Sequence, residues 1–131
     1  MANTVVITDL VDGPKTRVVH VSITYVDAQE SDTVIYDFSA DTAKPDNAVA
    51  GNGRVKKVWW ANDTADVLLE WDGTTDFLVQ HINPDSEGCN DYQDFGGIKD
   101  NSTAPTGDLT LTTVGLAAAD HFWAIVVVDK Y

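Results

Sequence analysis

Basic side chains are scarce in this chain: eight lysines and arginines stand against 21 aspartates and glutamates, for a formal net charge of −13. A field of that sign repels phosphate backbones, and no basic stripe runs along the sequence, so no nucleic-acid partner is expected. Cysteine is nearly absent. Cys89 stands alone, which excludes an intrachain disulfide and makes cytosolic synthesis the simplest expectation. Its acidic surroundings, Asp85, Glu87 and Asp91, are unlike those of a reactive thiolate. No apolar run approaches the roughly 20 residues that a membrane-spanning helix needs, so no membrane partner is expected. Residues Met1 to Asp9 lack a basic n-region and a long apolar stretch, and they read as a mature N-terminus rather than a secretory signal. Sustained 3.6-residue periodicity is missing as well, and only Leu116 to His121 offers a single helical turn.

What the chain has in abundance is period-two alternation. Val19, Val21, Ile23 and Tyr25 alternate with His20, Ser22 and Thr24 within a strand read as Val18 to Val26. Val34, Tyr36 and Phe38 repeat the pattern, as do Val67, Leu69 and Trp71, and again Leu109, Leu111 and Thr113. Turn residues separate these runs: Asp12-Gly13-Pro14, Asn52-Gly53, Gly96-Gly97, Thr106-Gly107, and Asp72-Gly73, where glycine suits the positive φ of a hairpin. Ala40 to Gly53 and Asn83 to Gly107 read as long irregular stretches, the second long enough for a functional loop. The pattern predicts an all-β fold, an antiparallel β-sandwich or jelly roll of about eight to nine strands, with residues 1–131 as one domain.

Two places carry more apolar surface than a half-buried strand needs. From Phe122 to Val128 both faces are apolar, with Trp123, Ile125 and Val127 opposite Phe122, Ala124, Val126 and Val128. Such a strand is either central and covered on both faces or covered on its outer face by another subunit. Trp59 and Trp60 are adjacent, so one enters the core and the other points away from it. Together with Arg54, Lys56 and Lys57, the densest basic cluster, these residues are the candidates for an interface.

Catalytic motifs are not found. There is no Gly-x-Ser-x-Gly elbow, Gly51-Asn52-Gly53-Arg54 is not a phosphate loop, and Cys89 has no histidine near it in sequence. His20, His81 and His121 lie far apart and without metal-ligand spacing. Asp85, Glu87, Asn90, Asp91 and Asp94 concentrate oxygen ligands in one stretch, which raises a calcium site as an alternative to a solvated loop. Asn62-Asp63-Thr64 and Asn101-Ser102-Thr103 match the glycosylation acceptor, relevant only to a secreted chain. The expectation is a protein without enzymatic activity and without a cofactor.

The order Asp12-Gly13-Pro14, Leu69-Glu70-Trp71-Asp72, Phe95-Gly96-Gly97-Ile98, Thr106 to Thr113 and Val128-Asp129-Lys130 resembles a family of small virion structural proteins of tailed bacteriophages. Coverage is nearly the whole chain, through short turn signatures. Lys15 and Gly73 depart from the family's usual Arg and Ala. The resemblance implies a capsid decoration (cement) protein on the outside of the virion shell, a homotrimer whose partner is the major capsid protein. In that reading Trp59 or Trp60, Trp123, Ile125 and Val127 make subunit contacts, and Arg54, Lys56 and Lys57 face an acidic patch of the shell. A tail or head-completion protein is the alternative within that class, and a calcium-dependent carbohydrate-binding jelly roll the alternative outside it.

Overall fold

Alternation sorts most of the chain into strands with one buried face. A computed structural model describes residues 4–24, 30–63, 65–114 and 120–131. In chain order the strands are β1 (Thr4–Asp12), β2 (Thr16–Thr24), β3 (Thr33–Tyr36), β4 (Arg54–Asn62), β5 (Asp66–Trp71), β6 (Phe77–Ile82), β7 (Ser86–Asp91), β8 (Ile98–Lys99), β9 (Leu109–Val114) and β10 (His121–Asp129). They form two antiparallel sheets. The six-stranded sheet runs β1-β2-β10-β4-β7 with β8 also on β4, and the four-stranded sheet runs β3-β9-β5-β6. The all-β sandwich expected from sequence is therefore the fold. Tyr25 and Val26, and residues 116–119 of the expected helical turn, lie outside the described residues, while His121 opens β10.

The inner faces share one apolar core. Val21, Ile23, Val58, Phe122 and Val126 from one sheet meet Val67, Leu69, Trp71, Leu109 and Leu111 from the other. Trp71 is fully buried and its indole N–H donates to the Ile98 carbonyl at 3.2 Å, so its polar atom is satisfied.

Two expectations are corrected here. Residues 83–107 are not one irregular stretch: they contain β7, the 3-10 turn Gln93–Phe95 and β8. The sequence of β7, Ser-Glu-Gly-Cys-Asn-Asp, has weak strand preference, and pairing with the edge of β4 overrides it. Gly73 does not adopt the positive φ of a hairpin turn. It is needed because the Thr103 carbonyl and the Ser102 side chain crowd the place a Cβ would take. Gly107 does adopt positive φ, 84°, and a Cβ there would lie 2.6 Å from Cγ of Phe38.

The irregular segment before β4 is anchored by charge. Lys130 and Asp41 are both fully buried, with Nζ 2.7 Å from a carboxylate oxygen of Asp41. Lys130 also donates to Asp12 at 2.9 Å and to the Gly13 carbonyl at 2.8 Å. Asp41 accepts from the Tyr36 hydroxyl at 2.9 Å and lies 3.4 Å from Arg17, which pairs with Asp12 at 2.9 Å. Hydrogen bonds from Arg17 and Lys130 draw the Asp12 carboxyl down to about 2. Burial pushes Asp41 up, but Lys130, Tyr36, the Ala43 N–H and the Arg17 charge outweigh it and hold the carboxyl below its ordinary value. Burial, then the hydrogen bond to Asp41, raises the Tyr36 phenol far above its ordinary range.

Candidate functional site

The outer face of the six-stranded sheet is the one turned away from the core it shares with the other sheet. Strand register places its residues in three rows. One runs Val6, Ser22, Trp123, Ala61, Glu87; the next Thr8, His20, Ile125, Trp59, Cys89; the third Val11, Val18, Val127, Lys57, Asp91. The middle of this surface is apolar. Trp123, Ile125, Val127 and Trp59 are half-buried by their neighbours in the sheet, while Val6 and Val11 on β1 are about half exposed, at 50% and 51%.

Polar groups around the apolar centre are mostly committed within the chain. The Lys57 ammonium lies 4.6 Å from the centre of the Trp59 ring and 3.7 Å from Asp91. Lys56 pairs with Asp129 at 3.5 Å, and Asp129 also accepts from Thr16. Arg54 lies over the Tyr131 ring at 5.5 Å and reaches the Gly96 carbonyl. Neighbouring side chains and carbonyls thus engage all three members of the cluster Arg54, Lys56 and Lys57 within the chain.

The tryptophan pair divides as parity requires. Trp59 faces outward beside Ile125, and Trp60 faces inward opposite Ala124. Trp60 packs against the core and donates its indole N–H to Ser86 at 3.1 Å, so it leaves the set of interface candidates. Trp123, Ile125 and Val127 occupy the outer face together, as their alternation with the buried Phe122, Ala124, Val126 and Val128 demands. His20 stands beside Trp123 with ring centroids 6.3 Å apart, and His121 bonds Ser22 and Thr24 nearby. His81 is on the other sheet, paired with Asp66 at 2.9 Å.

The stretch proposed for calcium is not a loop around one point. In β7, Glu87 and Asp91 point outward with Cys89, while Gly88 and Asn90 take the opposite side. Asp91 is already engaged by Lys57 and by the Gln93 N–H. Three other carboxylates do converge: Asp32, Glu70 and Asp76, whose oxygens all lie within 4.8 Å of one another. Burial, then the charges of Asp76 and Asp32, raises the Glu70 carboxyl above its ordinary value. Sequence reasoning missed this cluster because its members come from three separate segments, with no spacing to read.

No protein-family model matches the sequence, and no characterised protein matches it. Among solved structures, the chain is similar to an RmlC-like cupin family protein with a double-stranded beta-helix fold from Methanocaldococcus jannaschii. The two share 8% identity over 98% of this chain and 82% of that one, with a TM-score of 0.35. One expectation is corrected beside this finding. Missing local motifs exclude catalysis only where catalytic residues must be close in sequence, and function is grafted on such folds by sites built from distant residues. Asp32, Glu70 and Asp76 show carboxylates meeting in that way here, so the conclusion that the chain is not an enzyme is withdrawn.

Proposed function

We propose that the protein is a capsid decoration protein of a tailed-bacteriophage virion, seated on the outside of the shell through the outer face of its six-stranded sheet. The observation that carries this reading is the apolar centre of that face: Trp59, Trp123, Ile125 and Val127 side by side in a chain of net charge −13. A sheet face in contact with water alternates to polar residues, and contiguous apolar patches mark interaction sites. The order of turn signatures shared with small virion proteins supplies the kind of partner, the major capsid protein. The action is mechanical. A surface assembled from neighbouring capsomers exists only in the expanded shell. A ligand selective for that state stabilises it, by about 2.7 kcal/mol per site at a hundredfold excess over Kd.

The test is binding of purified protein to expanded and unexpanded shells. Expanded shells should load and the others stay nearly bare, and loaded shells should release DNA at a higher temperature. Trp123→Ala should weaken loading at least tenfold, since aromatic anchors at an interface centre are worth about 2 kcal/mol or more. The melting temperature of the free variant should change little. Shells that neither load nor gain heat resistance would overturn the proposal. Binding confined to tails or necks would replace it with a tail or head-completion role.

A further inference from the structure

We infer that β1 is a docking edge for a second copy of this chain, the two β1 strands pairing antiparallel so that two six-stranded sheets become one. β1 closes one end of its sheet, hydrogen-bonded to β2 alone among the described strands. Its other edge therefore presents a row of unpaired N–H and C=O groups, a template for one more strand. Apart from Val5, which packs against the core, the apolar residues of the strand are well exposed. Val6, Leu10 and Val11 are 50%, 52% and 51% exposed, and Ile7, on the inner face, is 41% exposed.

The remaining sheet edges are short or charged, whereas in β1 the bulge and the two aspartates are confined to Asp9–Asp12, beyond the run Thr4 to Thr8. β7, at the far end, is six residues long and carries Glu87, Asn90 and Asp91. β3 has four residues, and β6 has six, with His81 paired to Asp66. β1 has nine residues without lysine or proline, and its first five, Thr4 to Thr8, have neither charge nor bulge. Its Asp9 and Asp12 are drawn to Arg17, at 3.8 and 2.9 Å, on the side of β2. The run Thr4-Val5-Val6-Ile7-Thr8 is uncharged and mostly β-branched, a composition suited to strand pairing.

The occupant follows from self-complementarity. Turned antiparallel about Val6, the run pairs Thr4 with Thr8, Val5 with Ile7 and Val6 with itself. Thr–Thr and β-branched pairs are favourable cross-strand neighbours, and no acid faces an acid. The exposed Ile7 of each copy would pack beside the other copy's Val5, extending the core edge on which Val5 already sits. A two-fold contact of this kind uses the same patch on both partners. One strand pair buries less than the roughly 1,200 Å² of a standard stable interface, so the dimer should form in the micromolar range.

Sedimentation equilibrium of the full chain at micromolar concentrations tests this. The expected mass is twice the 14.2 kDa of one chain. Val6→Lys and Ile7→Lys, each at a well-exposed position, should keep the native circular dichroism and sediment as monomers. Val49→Lys, equally exposed but distant in sequence from β1, should leave the dimer intact. A wild-type mass of one or three chains overturns the inference. So does a dimer that persists in both β1 variants, or one that Val49→Lys abolishes. The three-chain outcome would restore the homotrimer implied by the resemblance.

Discussion

Replacing Lys130 by methionine tests how far the buried charges hold the segment before β4 in place. The substitution keeps length and apolar stem and deletes the ammonium. It removes donors to Asp41 at 2.7 Å, Asp12 at 2.9 Å and the Gly13 carbonyl at 2.8 Å. Asp12 is 38% exposed and can turn to water, so most of the loss falls on Asp41, whose side chain has no exposed surface. Stranding one member of a buried ion pair costs about 3–5 kcal/mol. Arg17, 3.4 Å away, and the Tyr36 hydroxyl remain with Asp41, which places the expected cost near the lower bound, about 3 kcal/mol. With a urea m-value of about 2 kcal/mol/M, the midpoint should fall by about 1.5 M. Asp41→Asn combined with Lys130→Met should cost at least about 1 kcal/mol less than the two single changes added together, because the second change removes the charge that the first leaves stranded. Urea unfolding of the four proteins measures the cycle. A single-variant cost within about 0.5 kcal/mol of zero, or strict additivity, would refute the reasoning.

Acid should act on the same cluster. The Asp12 carboxyl, drawn down to about 2 from an ordinary 3.8, contributes stability that is present above 3.8 and drains away as pH falls toward 2. Asp41 acts in the same sense, while Glu70 and Asp108, raised chiefly by burial, contribute in the opposite sense as pH rises through their values. Melting temperature should therefore drop steeply below about pH 4, and the drop should be shallower in Asp12→Asn. Gly107→Ala forces an L residue to φ 84° with its Cβ against Phe38, and it should cost about 3 kcal/mol in urea unfolding.

The all-β fold was legible because alternation is a physical requirement of a half-buried strand. Val19, Val21 and Ile23 are each fully buried, and the polar residues between them are not. The same parity fixed Trp123, Ile125 and Val127 on one face. It left open which of Trp59 and Trp60 turned outward, since only the register against Ala124 and Ile125 decides that. β7 was illegible because its conformation is imposed by the edge of β4 rather than by its own residues. Asp12-Gly13-Pro14 read simply as a turn. That it also supplies a carboxylate and a carbonyl to Lys130, 118 residues from Asp12, depends on the two ends of the chain meeting. The Asp32, Glu70 and Asp76 cluster was hidden for the same reason.

The position of β10 has a bearing on how the molecule is made. It sits between β2 and β4, so those two strands have no backbone partner in common until residues 121–129 are available. A ribosome releases the chain from its N-terminus, and the exposed flank of β2 must wait through the synthesis of nearly every other strand before its neighbour arrives. Folding of the larger sheet is therefore a late event, dominated by contacts of long sequence separation, which are slow to form. During that interval the half-built sheet offers bare strand edges to other nascent chains. Rapid translation, or a holding factor that shields β2, should raise the yield of native protein more than any change that strengthens the early strands.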